Sequence, residues 1–148
     1  MPLSELTHEK IKLLAEQGDA LATAGRHREA IEVYGQAWDL LPEPQTDFDA
    51  ATWILAALAD AQFLVGEYMA GRDNLCLAMH CPDGIGNPFL HLRLGQCLHR
   101  LGDLDRATDE LLRAYMAAGE EIFDEAPEDL AFLSGRVNLN DPDTNSVE

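Results

Sequence analysis

The chain is poor in positive charge. Ten of its 148 residues are lysine or arginine, against 27 aspartates and glutamates, and the formal net charge is −17. Lysine occurs only as Lys10 and Lys12. A field of this sign repels nucleic acid and anionic membrane, whose binding rests on clustered basic residues, and it steers basic partners toward the protein. Cysteine is scarce as well. Cys76, Cys81 and Cys97 are odd in number and fit no disulfide framework, so a reducing cytoplasm is the expected setting. No apolar run approaches the roughly 20 residues of a membrane span. The start MPLSELTHEK has neither the basic opening nor the apolar stretch of a signal peptide.

Catalytic signatures are missing too. His8, His27, His80, His91 and His99 are scattered, and so are the three cysteines. Cys76 and His80 are four apart and can share a helix face, but no pair has the tight spacing of a zinc site. The Gly84-Ile85-Gly86 stretch has no strand before it and reads as a turn, and no nucleophile elbow, HExxH helix or Walker loop is present. The expectation is a non-enzyme with no cofactor and no metal. A metal-dependent or redox enzyme built on the Cys/His set is the minor alternative.

What the chain does have is helical periodicity, with no convincing alternation of the kind strands show. Pro42-Glu43-Pro44 and the run Pro82 to Pro88 break it, with Asn87-Pro88 placed as an N-cap followed by proline at the first helical position. Within QGDALATAGRHREA, Gly18 and Gly25 stand where glycine costs a helix about 1 kcal/mol relative to alanine, which points to a geometric need. Counting from Gly18, the positions Leu21, Ala30, Tyr34, Ala37 and Pro42 follow at fixed intervals. The same intervals from Gly95 reach Leu98, Ala107, Leu111, Ala114 and Gly119. From Ala59 they reach Gln62, Gly71, Leu75 and Ala78, with Pro82 one residue early. Between the paired helices lie Gly25, Gly66 and Gly102.

This spacing resembles the tetratricopeptide repeat, in three copies at about residues 11–44, 52–83 and 88–119. The resemblance implies an all-α domain, residues 1–135, of three helix pairs stacked as a short right-handed superhelix. The 41-residue step from Gly18 to Ala59 implies a longer connection across PEPQTDFDA. In GEEIFDEAPEDLAFLSG, Pro127 with Glu128 and Asp129 predicts a helix start, and Leu130, Phe132 and Leu133 give it an apolar face. A capping helix over about 127–134 is expected there, and residues 136–148 read as a flexible tail.

In the resembled family the first helix of each pair lines a groove. On this chain that register places Ala15, Asp19 and Thr23 inward, then Trp53, Ala56, Asp60 and Phe63, then Phe89, Arg93, Gln96 and His99. The candidate partner-binding residues are Asp19, Trp53, Asp60, Phe63, Phe89, Arg93, Gln96 and His99. Members that capture the acidic C-terminus of heat-shock chaperones use a basic and amide clamp. The matching positions here are Ala15, Asp19, Ala57, Phe89 and Arg93; only Arg93 fits, and Asp19 repels a carboxylate. The expected partner is therefore a basic protein, not nucleic acid or membrane. NPFLHLRLGQ and AYMAAGEEIF look like stretches of small bacterial members that accompany secreted toxins. Together with the acidity, this favours an immunity protein that neutralises a basic toxin domain. A cytoplasmic chaperone of a type III secretion system is the alternative.

Overall fold

The computed structural model describes residues 3–140; the expected tail from residue 141 onward lies outside the described residues. Among the described residues there is no strand. The helices are α1 (Glu5–Thr23), α2 (His27–Asp39), α3 (Asp49–Leu64), α4 (Tyr68–Ala78), α5 (Pro88–Arg100), α6 (Leu104–Ala118) and α7 (Pro127–Arg136). Short 3-10 turns at Gln45–Asp47 and Glu120–Phe123 complete the order. The chain divides between Ile85 and Gly86 into two compact units, each with its own packing.

In the first unit, α1 pairs with α2 and α3 with α4, and α2 also packs on α3. Helix α1 begins six residues before the expected repeat start, because Ser4 caps it: its hydroxyl accepts from the Thr7 N–H at 3.2 Å. The end of α1 explains one of the two unusual glycines. Gly25 has φ +78°, the Arg26 N–H reaches back to the Leu21 carbonyl at 2.8 Å, and the Gly25 N–H reaches Ala22 at 3.0 Å. This is a Schellman stop, which needs a left-handed residue at that point. The same bonds recur where α3 ends at Gly66 and where α5 ends at Gly102.

Gly18 answers to close approach instead. A Cβ built there would lie 2.4 Å from Cε1 of Tyr34 on α2. Gly95 meets Leu111 in the same way, at 2.7 Å, where α5 crosses α6. The facing small residues Ala30, Ala59, Ala78 and Ala107 are fully buried. Repeat intervals in the sequence are thus contacts between paired helices. Gly35 on α2 is a useful contrast, since a Cβ there meets nothing within 4 Å. Gly18→Ala is expected to destabilise the protein by about 1–3 kcal/mol through overpacking against a buried ring. Gly35→Ala is expected to stabilise it by about 0.5–1 kcal/mol through lower chain entropy. Urea unfolding of both variants checks the pair; equal signs would refute the packing assignment.

The linker between α2 and α3 holds the first 3-10 turn, where the Gln45 amide donates to the Trp38 carbonyl at 3.0 Å. In the loop after α4, Thr52 Oγ1 donates to the Pro82 carbonyl at 2.7 Å. A Cβ at Gly84 would lie 1.9 Å from the Ala78 carbonyl oxygen, so only glycine fits there.

The second unit is built on α5 and α6, with α7 and the second 3-10 turn packed on α6. Asn87 caps α5, accepting from the N–H groups of Phe89 at 3.0 Å and Leu90 at 3.4 Å, with Pro88 in the first turn. His91 is buried beneath this entry. Its Nε2 accepts from the Gly86 N–H at 2.9 Å, so the ring proton sits on Nδ1 and donates to Glu110 at 2.6 Å. Leu111, Leu112, Phe123 and Leu133 form the core, with Leu130, Phe132, Val137 and Leu139 packed around it. The ordered cap therefore runs past the expected boundary at residue 135. Helix α7 ends at Arg136, whose guanidinium pairs with Asp105, and the next residues contribute Val137 and Leu139 to the cluster. Residues 136–139 are corrected from tail to body for that reason.

Candidate functional site

The residues expected to line a groove fall into three places. Asp19 and Asp60 come together. They line one pocket of about 270 Å³ in the first unit, with Ala22 and Thr23 from α1, His27 and Tyr34 from α2, and Ala57 and Ala61 from α3. Asp19 stands four residues before Thr23 on α1, one turn away and on the same side. Tyr34, only 4% exposed, stands behind the pocket and donates its hydroxyl to Asp19 Oδ1 at 2.6 Å. Burial pushes the Tyr34 phenol well above its usual range, and the bond to Asp19 and the charges of Asp19 and Asp60 push it the same way. The two carboxylates thus act on one point. His27 adds a further polar atom: its Nδ1 is buried and has no hydrogen-bond partner.

Trp53 is elsewhere. It is 41% exposed and lines a second pocket of about 460 Å³ with Leu3, His8, Asp47, Phe48 and Asp49. It therefore does not flank the two aspartates in one site, although it shares α3 with Asp60. Two helical turns separate them. Phe63 is half-buried and packs on Tyr68, ring centroids 5.5 Å apart.

The third place is the face of α5 in the second unit. Phe89 is 71% exposed at the helix start. Arg93 donates to Gln96 Oε1 at 2.9 Å. Gln96 is buried, and its amide donates to Asp129 on α7 at 3.0 Å. His99 Nδ1 lies 3.1 Å from the other oxygen of Asp129, and its ring stacks on Phe132 with centroids 4.1 Å apart. Arg100 completes the set, donating to Asp129 at 2.6 Å. The face expected to be open to a partner at Gln96 and His99 is covered by the protein's own α7. The physical reason is that a cap must satisfy the same polar groups that a further helix would.

Asp129 is 1% exposed. Burial alone would raise its pKa, but the hydrogen bonds from Arg100, Gln96 and His99 and the Arg100 charge outweigh it. They hold the carboxyl below the ordinary carboxylate range. The residues that sequence reading missed are thus His27, Tyr34, Arg100 and Asp129. Tyr34 left a signal as a packing position paired with Gly18, and Asp129 left one as an acid in the first turn of the expected cap.

The Cys/His set does not converge. Among the described residues no group of three or more His, Cys, Asp and Glu side chains is arranged to hold a metal ion. Cys81 and Cys97 are buried, Cys76 partly so, and burial pushes the Cys81 thiol up, away from the reactive thiolate. No helix of the described residues is long and apolar enough to cross a membrane.

No family model and no curated sequence matches the chain. Solved structures do match. The type III secretion chaperone SycD of Yersinia enterocolitica, in complex with a peptide of the translocator YopD, superposes with a TM-score of 0.70 at 17% identity. The match covers 89% of this chain and 95% of that one. PcrH from Pseudomonas aeruginosa gives 0.68 at 21% identity, over 90% of this chain and 94% of the other. The first tetratricopeptide domain of Spaghetti (RPAP3), bound to the HSP90 peptide SRMEEVD, gives 0.67 at 21% identity, over 86% and 95%. At these identities the likeness is one of fold.

Proposed function

We propose that this chain, whose fold is that of tetratricopeptide-repeat domains, is a non-catalytic module of the cytoplasm that binds a basic segment of another protein. The observation that carries the reading is the convergence of Asp19 and Asp60 on one pocket of the first unit. Two like charges held together are costly unless water or a cation meets them, and a net charge of −17 steers cations toward them. An acidic peptide such as the one bound by the Spaghetti domain does not suit this face.

Two biological settings fit such a module. Sheltering a secreted client, as a type III secretion chaperone does, is supported by the likeness to SycD, which was solved with a translocator peptide. Neutralising a basic toxin domain, as an immunity protein does, is supported by the charge. Co-purification from the native host identifies the partner. An immunity role predicts that the partner's toxicity vanishes on mixing; a chaperone role predicts a client that aggregates without this chain.

With the partner in hand, Asp19→Lys/Asp60→Lys is expected to slow association and to flatten its salt dependence, because steering falls. Trp53→Ala is expected to act on dissociation instead, with a loss of about 2 kcal/mol if the exposed indole is an anchor. Rates for each variant at two salt concentrations check both. Wild-type rates throughout would move the interface off this unit.

A further inference from the structure

The pocket at Asp19 and Asp60 has a chemistry more specific than negative charge. Its acceptors stand on three different helices: Asp19 on α1, His27 on α2 and Asp60 on α3. Tyr34 fixes the first of them by its 2.6 Å bond. Between the polar groups the wall is made of Ala22, Ala57 and Ala61, which present methyl groups and little bulk. The His27 Nδ1 is an independent sign of an unmet partner. Among the buried side-chain nitrogens and oxygens of the described residues, it is the atom left without a hydrogen bond. Burying such an atom without a partner is unfavourable, and a donor that reaches it relieves that cost.

We propose that this pocket is a receptor for one arginine side chain of a partner protein, with Asp19, Asp60 and the His27 Nδ1 as its acceptors. The inference rests on the protein-binding reading above and narrows it to one side chain. Arginine fits better than lysine on three grounds. Its guanidinium spreads five N–H donors over a planar fork and so can address acceptors on separate walls, whereas ammonium is a compact point charge. Guanidinium is also the more weakly hydrated ion, so it enters a half-enclosed pocket at lower cost. Finally, the methylene stem can lie along the alanine wall while the head meets the carboxylates. With the His27 proton on Nε2, Nδ1 accepts the third N–H.

The test titrates Nα-acetyl-arginine amide, Nα-acetyl-lysine amide and the neutral isostere Nα-acetyl-citrulline amide into the full ¹⁵N-labelled chain. The expected result is a saturable shift of the Asp19, Thr23, His27, Tyr34 and Asp60 amides with arginine. Lysine should bind about threefold or more weakly, and citrulline should leave these signals unmoved. Asp60→Asn and Asp19→Asn should each weaken arginine binding by about tenfold, as expected for losing a charge-assisted bond. His27→Phe, which keeps a ring but removes the acceptor, should weaken it by a smaller factor. Unchanged shifts elsewhere in the spectrum establish that each variant is folded. No saturable shift, an equal response to citrulline, or indifference to both aspartate variants overturns the proposal. Equal affinity for lysine overturns the fork argument and with it the assignment to arginine. A silent pocket in a chain that still captures a basic partner removes this inference alone. Arginine binding in a chain that captures no protein removes the broader reading instead.

Discussion

A chain cut after Ala126 is expected to lose the cooperative unfolding of its second unit and to aggregate. The deletion removes Leu133, which is fully buried, together with Leu130, Phe132, Val137 and Leu139 from the cluster around Leu111, Leu112 and Phe123. Each buried aliphatic or aromatic side chain is worth about 1.5–3 kcal/mol, so the combined loss is comparable with the 5–15 kcal/mol that holds a typical domain together. Phe123 and Leu112 would face water as an exposed apolar patch, which is what drives association. Two shorter deletions calibrate the result. Removing 141–148 leaves every described contact of the cap in place, and the change should stay within about 0.5 kcal/mol. Removing 136–148 takes Val137 and Leu139 as well, and breaks the Arg136 contacts to Asp105 and to the Phe132 ring, 5.7 Å from the guanidinium carbon. An intermediate loss of about 1–3 kcal/mol is expected there. Thermal melts and sedimentation of the three truncations check the order. If the chain cut after Ala126 matches the one ending at 140, the helix caps nothing.

The helix pairs were legible because the physics that sets them is local and repeated. Gly18 with Tyr34 and Gly95 with Leu111 are steric contacts at a fixed interval, and Gly25, Gly66 and Gly102 are three copies of one stop. The approach of Asp19 to Asp60 follows from equal positions in neighbouring pairs, and both line one pocket. Periodicity carries no information where repetition ends. Gln96 and His99 occupy positions that the repeat pattern turns inward, but what meets them is α7, which has no repeat signature. Asp129 was readable only as a first-turn acid, since acids are common there and favour the helix dipole. Its burial depends on a face of α5 more than 25 residues away in sequence. Trp53 shows the opposite limit. It shares α3 with Asp60, yet two turns of helix are enough to place it in a different pocket.

Asp129→Ala is expected to cost the second unit about 1–3 kcal/mol, the usual result of leaving a buried donor such as the Gln96 amide without its acceptor. Arg100 would keep its charge beside a gap, and Gln96 and His99 would each lose an acceptor. Asp129→Asn keeps the shape and one carbonyl oxygen but loses the charge, so it should cost less than alanine. Acidity separates charge from shape. The folded carboxyl titrates below the ordinary 3.8 because the Arg100, Gln96 and His99 bonds outweigh its burial. A carboxyl depressed by folding contributes its full stabilisation above its unfolded pKa, and that contribution is lost as pH falls through the folded value. The stability difference between wild type and Asp129→Asn should therefore be constant near neutrality. It should begin to shrink as pH drops to about 4, the unfolded carboxylate value, and keep shrinking at lower pH. Taking the difference cancels the other acids, which titrate alike in both proteins. Urea unfolding of the two proteins at pH 7, about 4 and about 3 measures it. A difference that grows on acidification, or an alanine variant as stable as wild type, would show that the ion pair does not hold the cap.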